Sequence, residues 1–295
     1  MHRFSAALVG VVTAIAFTQI AAAADLPRKA PAYAPPPPPP VLSWTGWYVG
    51  VNAGWVDATG RVNTDATSLT FPTDPNNTTA MALVATNQFN NSSSGFLGGG
   101  QFGYNYQFAP AWLVGFEADI QGSSLRANAT TSNAVPTDSL VVGQGRYLTS
   151  TSVSTDLDYL GTLRARLGVI ATPSVLLYGT GGLAYGGVSS ATSMGLVALS
   201  GGTNPPPGFT SGSFSGTRTG WTAGAGIEWM FLPNWSTKVE YLHYDLGSAT
   251  YATGGFAINV GPTSFPGGGT ASVATTTTVH FSGDIVRLGL NYKFH

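Results

Sequence analysis

Ionisable side chains are rare in this sequence, and many of them recur at a spacing of two. Glu117-x-Asp119, Arg164-x-Arg166 and Lys238-x-Glu240 each place two charges on alternate positions, while Asp158, Glu228, Arg287 and Lys293 stand singly. On an extended chain a spacing of two puts both side chains on one face. Glu117, Asp119, Asp158, Glu228 and Glu240 are matched in number by Arg164, Arg166, Lys238, Arg287 and Lys293. Paired carboxylates can do general acid–base work, but carboxylates matched one for one by guanidinium and ammonium groups neutralise each other. The chemistry indicated is therefore a salt-bridge network, and in a confined space such charges must be paired or hydrated. Registers counted from the nearest turns place Glu117 beside Arg164 and Glu240 near Arg287. The bland reading is a plug that stiffens the structure; the sharper one is a gate on a narrow path for ions or water.

Other catalytic signals are weak. Of the 4 histidines, His2 lies at the start of the chain and His295 is its last residue, which leaves His243 and His280. A rim hydrolase would need one of these as a base. His243 reads more economically as an interfacial ring, and His280 has no acidic companion in sequence before Asp284. There is no cysteine and no clustered His or carboxylate spacing for a metal, so neither a metal nor another cofactor is expected. Gly98-Gly99-Gly100 lacks the following lysine and helix of a phosphate loop. The sequence carries no mark of an enzyme.

The charges sit in segments where hydrophobicity alternates with period two. Eight such segments run over 47–55, 96–108, 112–122, 156–171, 175–187, 220–231, 235–244 and 285–294. In each, one parity is apolar. Trp112, Val114, Phe116, Ala118 and Ile120 oppose Gly115, Glu117, Asp119 and Gln121. Val286, Leu288, Leu290, Tyr292 and Phe294 oppose Arg287, Gly289, Asn291 and Lys293. In the fourth segment Leu157, Tyr159, Leu163, Leu167 and Val169 oppose Asp158, Thr162, Arg164 and Arg166. A strand of ten or eleven residues, tilted as in a membrane barrel, rises about 25 to 28 Å, the height of an outer-membrane apolar band.

The connections alternate in length. Ala109-Pro110-Ala111, Thr172-Pro173-Ser174 and Leu232-Pro233-Asn234 are tight turns built on proline. The other four connections, 56–95, 123–155, 188–219 and 245–284, are long, rich in Ser and Thr, and poor in charge and aromatics, so any adhesive role for them rests on position alone. Asn77 and Asn128 head Asn-x-Thr triplets that such composition produces by chance. Short turns on one side and long connections on the other are the asymmetry of an outer-membrane barrel.

Which face meets lipid follows from composition and from tryptophan. Charged residues are only 8% of the chain, against roughly 25% in a soluble domain. One charge on the lipid face costs about 2 to 4 kcal/mol at mid-bilayer, and the apolar parity has none. Trp47, Trp112, Trp229 and Trp235 fall near the short-turn side, and Trp55 and Trp221 near the long-connection side, as two interfacial belts. Phe116 and Leu288 should therefore look outward and the charge-and-glycine parity inward, where an eight-stranded lumen barely holds side chains.

The N-terminus carries His2 and Arg3, an apolar run from Ala6 to Phe17 and the small residues Ala21 to Ala24, which together read as a secretory signal. Residues 25–46, with six prolines from Pro35, form a stiff periplasmic tether, and 47–295 form the barrel. With Lys+Arg 12 against Asp+Glu 13, no field recruits nucleic acid.

The two ends of the chain resemble a family. Ala24-Asp25-Leu26-Pro27-Arg28-Lys29-Ala30-Pro31, Trp44-Thr45-Gly46-Trp47-Tyr48-Val49-Gly50 and the terminal Leu288-Gly289-Leu290-Asn291-Tyr292-Lys293-Phe294 resemble the alphaproteobacterial outer-membrane immunogenic proteins, small OmpA-type barrels of the porin family. The resemblance implies an all-β, eight-stranded antiparallel transmembrane barrel with a role in envelope integrity and surface recognition, or a narrow passive channel. It also implies that Phe294, one residue before His295, closes the strand read by the outer-membrane insertion machinery. The partners expected are outer-membrane lipid and lipopolysaccharide, that machinery, and peptidoglycan or a host surface. The barrel is expected to be a monomer in the outer membrane of a Gram-negative bacterium.

Overall fold

The computed structural model describes residues 42–69, 82–134, 146–200, 207–260 and 269–294. The signal segment, the proline run, Asn77 and His295 lie outside the described residues. The chain forms β1 (Gly46–Leu69), β2 (Asn87–Ala109), β3 (Trp112–Ala134), β4 (Arg146–Thr172), β5 (Val175–Ser200), β6 (Gly208–Leu232), β7 (Trp235–Val260) and β8 (Gly269–Lys293). Each strand pairs antiparallel with the next, and β8 returns to β1, so the sheet closes as a barrel. Among the described residues no helix is long and apolar enough to cross a membrane.

At the lower end, Pro110-Ala111, Pro173-Ser174 and Pro233-Asn234 form tight turns, where the fixed φ of proline presets the bend. Each turn is tied to another strand: Ile170 N donates to Ala111 O at 2.9 Å, Met230 N to Ser174 O at 2.8 Å and Lys293 N to Asn234 O at 2.7 Å. Phe294 N donates to Trp47 O at 2.8 Å and completes the rim.

Alternation sorts the faces. Phe116 and Leu288 point outward, and the outward face between the tryptophan levels carries no charge. Trp47, Trp55, Trp112, Trp221, Trp229 and Trp235 are all exposed on it. Trp47 and Trp55 on β1, like Trp221 and Trp229 on β6, are separated by about 26 Å of strand, or about 20 Å of height at a tilt near 40°. Adding the rings at each end fills the apolar band. Neighbouring rings interlock, with Trp47 stacked on Phe102 at 5.0 Å and Trp55 edge-on to Phe96 at 4.7 Å.

The strands run on well past the upper tryptophans. All eight are 23 to 27 residues long, about 80 Å of chain each. Much of what reads in sequence as long connection is thus sheet standing above the apolar band. In that upper half the β2–β3 ladder stops at Leu97↔Ser123 and the β6–β7 ladder at Trp221↔Asp245. Side chains stitch the two seams instead, through Phe96 N to Ser124 Oγ at 3.0 Å, and through Arg218 to the carbonyl of Ser248. By its ladders the upper half is two four-stranded halves, β7-β8-β1-β2 and β3-β4-β5-β6.

A β-bulge corrects one reading. The β4–β5 register shifts between Leu157 and Tyr159, so Asp158 is an extra residue that exchanges inside and outside above it. Leu160, Thr162, Arg164 and Arg166 face the lumen below the bulge; above it Leu157 does, and Asp158 is exposed. Asp158 is therefore not part of the lumen charge network, and Leu157 is a core residue rather than a lipid-facing one.

The lumen is filled in layers. At the bottom Trp44 packs with Leu113, Leu176, Tyr178 and Met230, its indole Nε1 donating to Pro173 O at 3.2 Å. Leu42 to Thr45, grouped with the tether in sequence, thus fold into the lower mouth. The charged layer follows. Above it comes an apolar layer that includes Val56, Leu97, Leu157, Leu242, Phe281 and Ile285. Higher still, Tyr251 OH lies within hydrogen-bond distance of Ser190 Oγ at 2.9 Å and Thr192 Oγ1 at 2.7 Å. At the top a helical turn at 82–85 drops Val84 and Ala85 among Tyr147, Met194, Leu196 and Phe256.

Candidate functional site: the lumen charge layer

Four acids and four bases meet in one layer: Glu117 and Asp119 from β3, Arg164 and Arg166 from β4, Glu228 from β6, Lys238 and Glu240 from β7, and Arg287 from β8. Cross-strand register brings together the pairs expected from sequence, Glu117↔Arg164 and Glu240↔Arg287. Their closest approaches are 2.5 Å and 2.6 Å, with all four side chains at 0% exposure.

Glu117 is the hub. Besides Arg164, its carboxylate takes Lys238 Nζ at 2.7 and 2.6 Å, Arg287 Nη2 at 3.4 Å and Arg166 Nη1 at 3.5 Å, and it accepts from Tyr48 OH at 2.7 Å. Glu240 accepts from Arg164 Nη1 at 3.0 Å, Arg287 Nε at 2.7 Å and Tyr178 OH at 3.0 Å. Asp119 takes Arg164 Nη2 at 2.8 Å and Arg287 Nη2 at 2.9 Å. Glu228 accepts from Arg166 Nη2 at 2.7 Å, Ser236 Oγ at 2.6 Å and Asn291 Nδ2 at 2.9 Å. Charge-assisted bonds of this length and number offset much of the desolvation cost that isolated charges would carry.

Neutral groups that the sequence did not single out complete the layer. Arg166 lies over the Tyr178 ring at 3.9 Å and near the Tyr48 ring at 5.7 Å, two cation–π contacts in a dry setting. Asn52 Nδ2 donates to Gln101 Oε1 at 3.1 Å, and Gln101 Nε2 to Asn291 Oδ1 at 2.5 Å, so every strand of the barrel contributes. Inward glycines make the room: a β-carbon at Gly103 would sit 2.4 Å from Tyr48 Oη, and one at Gly226 2.5 Å from Tyr178 Oη. The signal in sequence was inward parity alone, which marks Tyr48 and Tyr178 as lumen residues without saying that they bind charge.

Lys293 is buried at the lower end, and no hydrogen bond or ion pair reaches its Nζ among the described residues. The layer's balance of four to four survives because the two outliers, Asp158 and Lys293, carry opposite signs. With each carboxylate facing guanidinium or ammonium, no lone pairs converge on a metal position.

The two histidines sit on the outer face, His243 at the level of the upper tryptophan belt and His280 above it. His243 Nδ1 lies 2.9 Å from Asp284 Oδ1, which also accepts from Tyr241 OH at 2.6 Å, and the His243 ring packs 5.4 Å from that of Trp221. His280 does have an acidic companion, contrary to its sequence neighbourhood: Nε2 lies 3.5 Å from Asp245 Oδ1 across the β7–β8 pair, with Ser248 Oγ 3.0 Å from Nδ1.

A closed eight-stranded sheet with an uncharged outward band, aromatic girdles and a polar inner layer defines the transmembrane β-barrels of the outer membrane. The sequence signature of the outer membrane protein beta-barrel domain matches residues 6–294, and the chain belongs to that family and to that membrane. It is 34% identical over 278 residues to the 31 kDa outer-membrane immunogenic protein of Brucella melitensis biotype 1, covering 94% of this chain and 95% of that protein. The protein of the same name from Brucella suis biovar 1 matches equally. Among solved structures it is similar to Ail of Yersinia pestis, at 14% identity and a TM-score of 0.25 over 82% of this chain and 99% of that one. It is also similar to OprG of Pseudomonas aeruginosa, at 15% and 0.33 over 85% and 97%.

Proposed function

We propose that this outer-membrane barrel is a closed, non-enzymatic structural element that carries a stiff β-sheet head above the outer leaflet. One observation carries the reading: the charged layer that could have lined a path is internally neutralised and fully buried, with apolar side chains packed below and above it. A head of long antiparallel strands is suited to surface exposure, and the Brucella relatives are named for being immunogenic. The partners proposed are outer-leaflet lipid and lipopolysaccharide, the insertion machinery reading the last strand, and peptidoglycan or a host surface. The barrel acts as a monomer and takes no nucleic acid.

Planar-bilayer recording on the refolded full chain tests this. Silence is expected, and steady single-channel currents would overturn the plug in favour of a narrow passive channel. Hydrolysis at the rim is disfavoured by the ring geometry of His280, whose Nδ1 lies 3.0 Å from Ser248 Oγ while Nε2 makes only a long 3.5 Å approach to Asp245. A lipid ester cleaved by the wild type and spared by the His243→Ala, His280→Ala double variant would reinstate it.

A further inference from the structure

The outer face of β3 to β6 above the membrane band is nearly uniform in chemistry. Register aligns Thr130, Ser152, Ser193 and Ser211 in one row across four strands. All four are exposed, with Thr130 Oγ1 and Ser152 Oγ 3.0 Å apart. The rows beside it hold Ser, Asn, Ala and Gly, and the first charges met on descending are Arg126 and Asp156, 4.0 Å apart. An ordinary solvated face is roughly a quarter to a third charged. This one offers hydroxyls that both donate and accept, at strand spacing, and no net field.

Two large apolar side chains break the pattern. Val197 is 39% exposed, and Phe209, at 80%, is the most exposed large apolar residue among the described residues. A β-carbon at its cross-strand partner Gly195 would sit 3.4 and 3.6 Å from Phe209 ring carbons, so the ring lies over the glycine and leaves its other face open. It is not a membrane anchor. Phe209 lies about 40 Å of strand, or about 30 Å of height, above Trp221 on the same strand. An open aromatic face costs hydration free energy unless something covers it.

We infer that this face is a docking surface for the saccharide chains of the cell's own lipopolysaccharide, with Phe209 as the stacking platform. A pyranose ring has an apolar side of C–H groups and a rim of hydroxyls. The first fits the Phe209 ring, and the second fits the Ser/Thr rows around it. An uncharged face complements a neutral sugar chain and offers nothing to a polyanion or a basic peptide. Height names the source: the patch is continuous with the lipid-facing wall of the same four strands, at the level where sugars of surrounding outer-leaflet lipids stand. The inference rests on the surface-exposed reading above, whose failure would appear in conductance rather than in sugar binding.

The test uses the full chain in nanodiscs free of lipopolysaccharide. Lipid-free polysaccharide from smooth lipopolysaccharide of the strain carrying the protein is titrated calorimetrically. Saturable binding is expected, weakened about tenfold by Phe209→Ala and retained by Phe209→Tyr. Gly195→Val, which tips the ring off the sheet, should weaken it similarly. Phe209 is exposed, so these variants should keep the heat-modifiable gel mobility of the folded barrel. Undiminished binding by Phe209→Ala, or no saturable binding by the wild type, overturns the surface. Equal affinity for dextran overturns the assignment to lipopolysaccharide.

Discussion

Lys238 on β7 reaches across the lumen to Glu117 on β3, its Nζ 2.6 Å from Oε2 and 2.7 Å from Oε1, although 121 residues separate them in sequence. The contact spans the barrel rather than two adjacent strands. It ties opposite walls together where hydrocarbon presses from outside. Removing one member leaves the rest of a balanced set with an uncompensated charge.

Glu117→Gln should therefore destabilise the barrel by about 3 to 5 kcal/mol, because it leaves Lys238 with the longer 3.9 Å pair to Glu240 and weakens the hold on Arg164. Glu117→Gln combined with Lys238→Met restores neutrality and should cost clearly less than the two single changes added together. Urea unfolding in lipid vesicles, followed by tryptophan fluorescence, reads both. Strict additivity would mean that the layer is not a coupled unit.

The bulge at Asp158 gives a sharper contrast. Asp158→Ala should shift stability by no more than about 0.5 kcal/mol, as at an ordinary surface position. Asp119→Ala, which takes a carboxylate from Arg164 and Arg287, should cost about 3 kcal/mol or more. Comparable losses at the two positions would put Asp158 back inside.

How much of this was legible in sequence depended on how different the two faces are. Between the tryptophan belts one parity is greasy and the other is glycine or charge, so strands, turns, belts and the Glu117–Arg164 and Glu240–Arg287 registers could be read off. Above the belts, Thr130 and Ser152 outside alternate with Ala127, Val153 and Thr151 inside. That contrast is too small to betray a strand, and the segments read as loops. The bulge at Asp158 leaves no trace in composition, since a parity count assumes an uninterrupted ladder. Phe209 was invisible for a different reason: in a stretch read as connection, a lone aromatic has no face to belong to.

Trp44 should prove to be part of the barrel rather than of the leader to it. At 2% exposure among Leu113, Leu176, Tyr178 and Met230, its truncation to Ala opens a cavity in the lower mouth and should cost about 3 to 5 kcal/mol. Pro31→Ala, in the stretch read from sequence as a tether, should cost nothing measurable in the same unfolding assay. A neutral Trp44→Ala would return the segment to the tether.

The seams of the upper half make the last prediction. Below Trp221 the β6 amides have ladder partners on both sides; above it, from Thr219 to Gly208, the ladder continues only towards β5. Along this seam side chains such as Arg218 and Thr210 donate to the carbonyls of Ser248 and Thr253, which ties the two strands together without engaging the β6 amides. Hydrogen exchange in nanodiscs should therefore show β7-facing amides of upper β6 exchanging well before those of residues 222–230, while upper β4 and β5, paired on both sides, stay protected. Arg218→Ala should speed exchange along the β6–β7 seam and leave the β4–β5 ladder unchanged. Uniform protection across upper β4, β5 and β6 would mean that the ladder closes there as well, and that the head is one continuous barrel rather than two halves held by side chains.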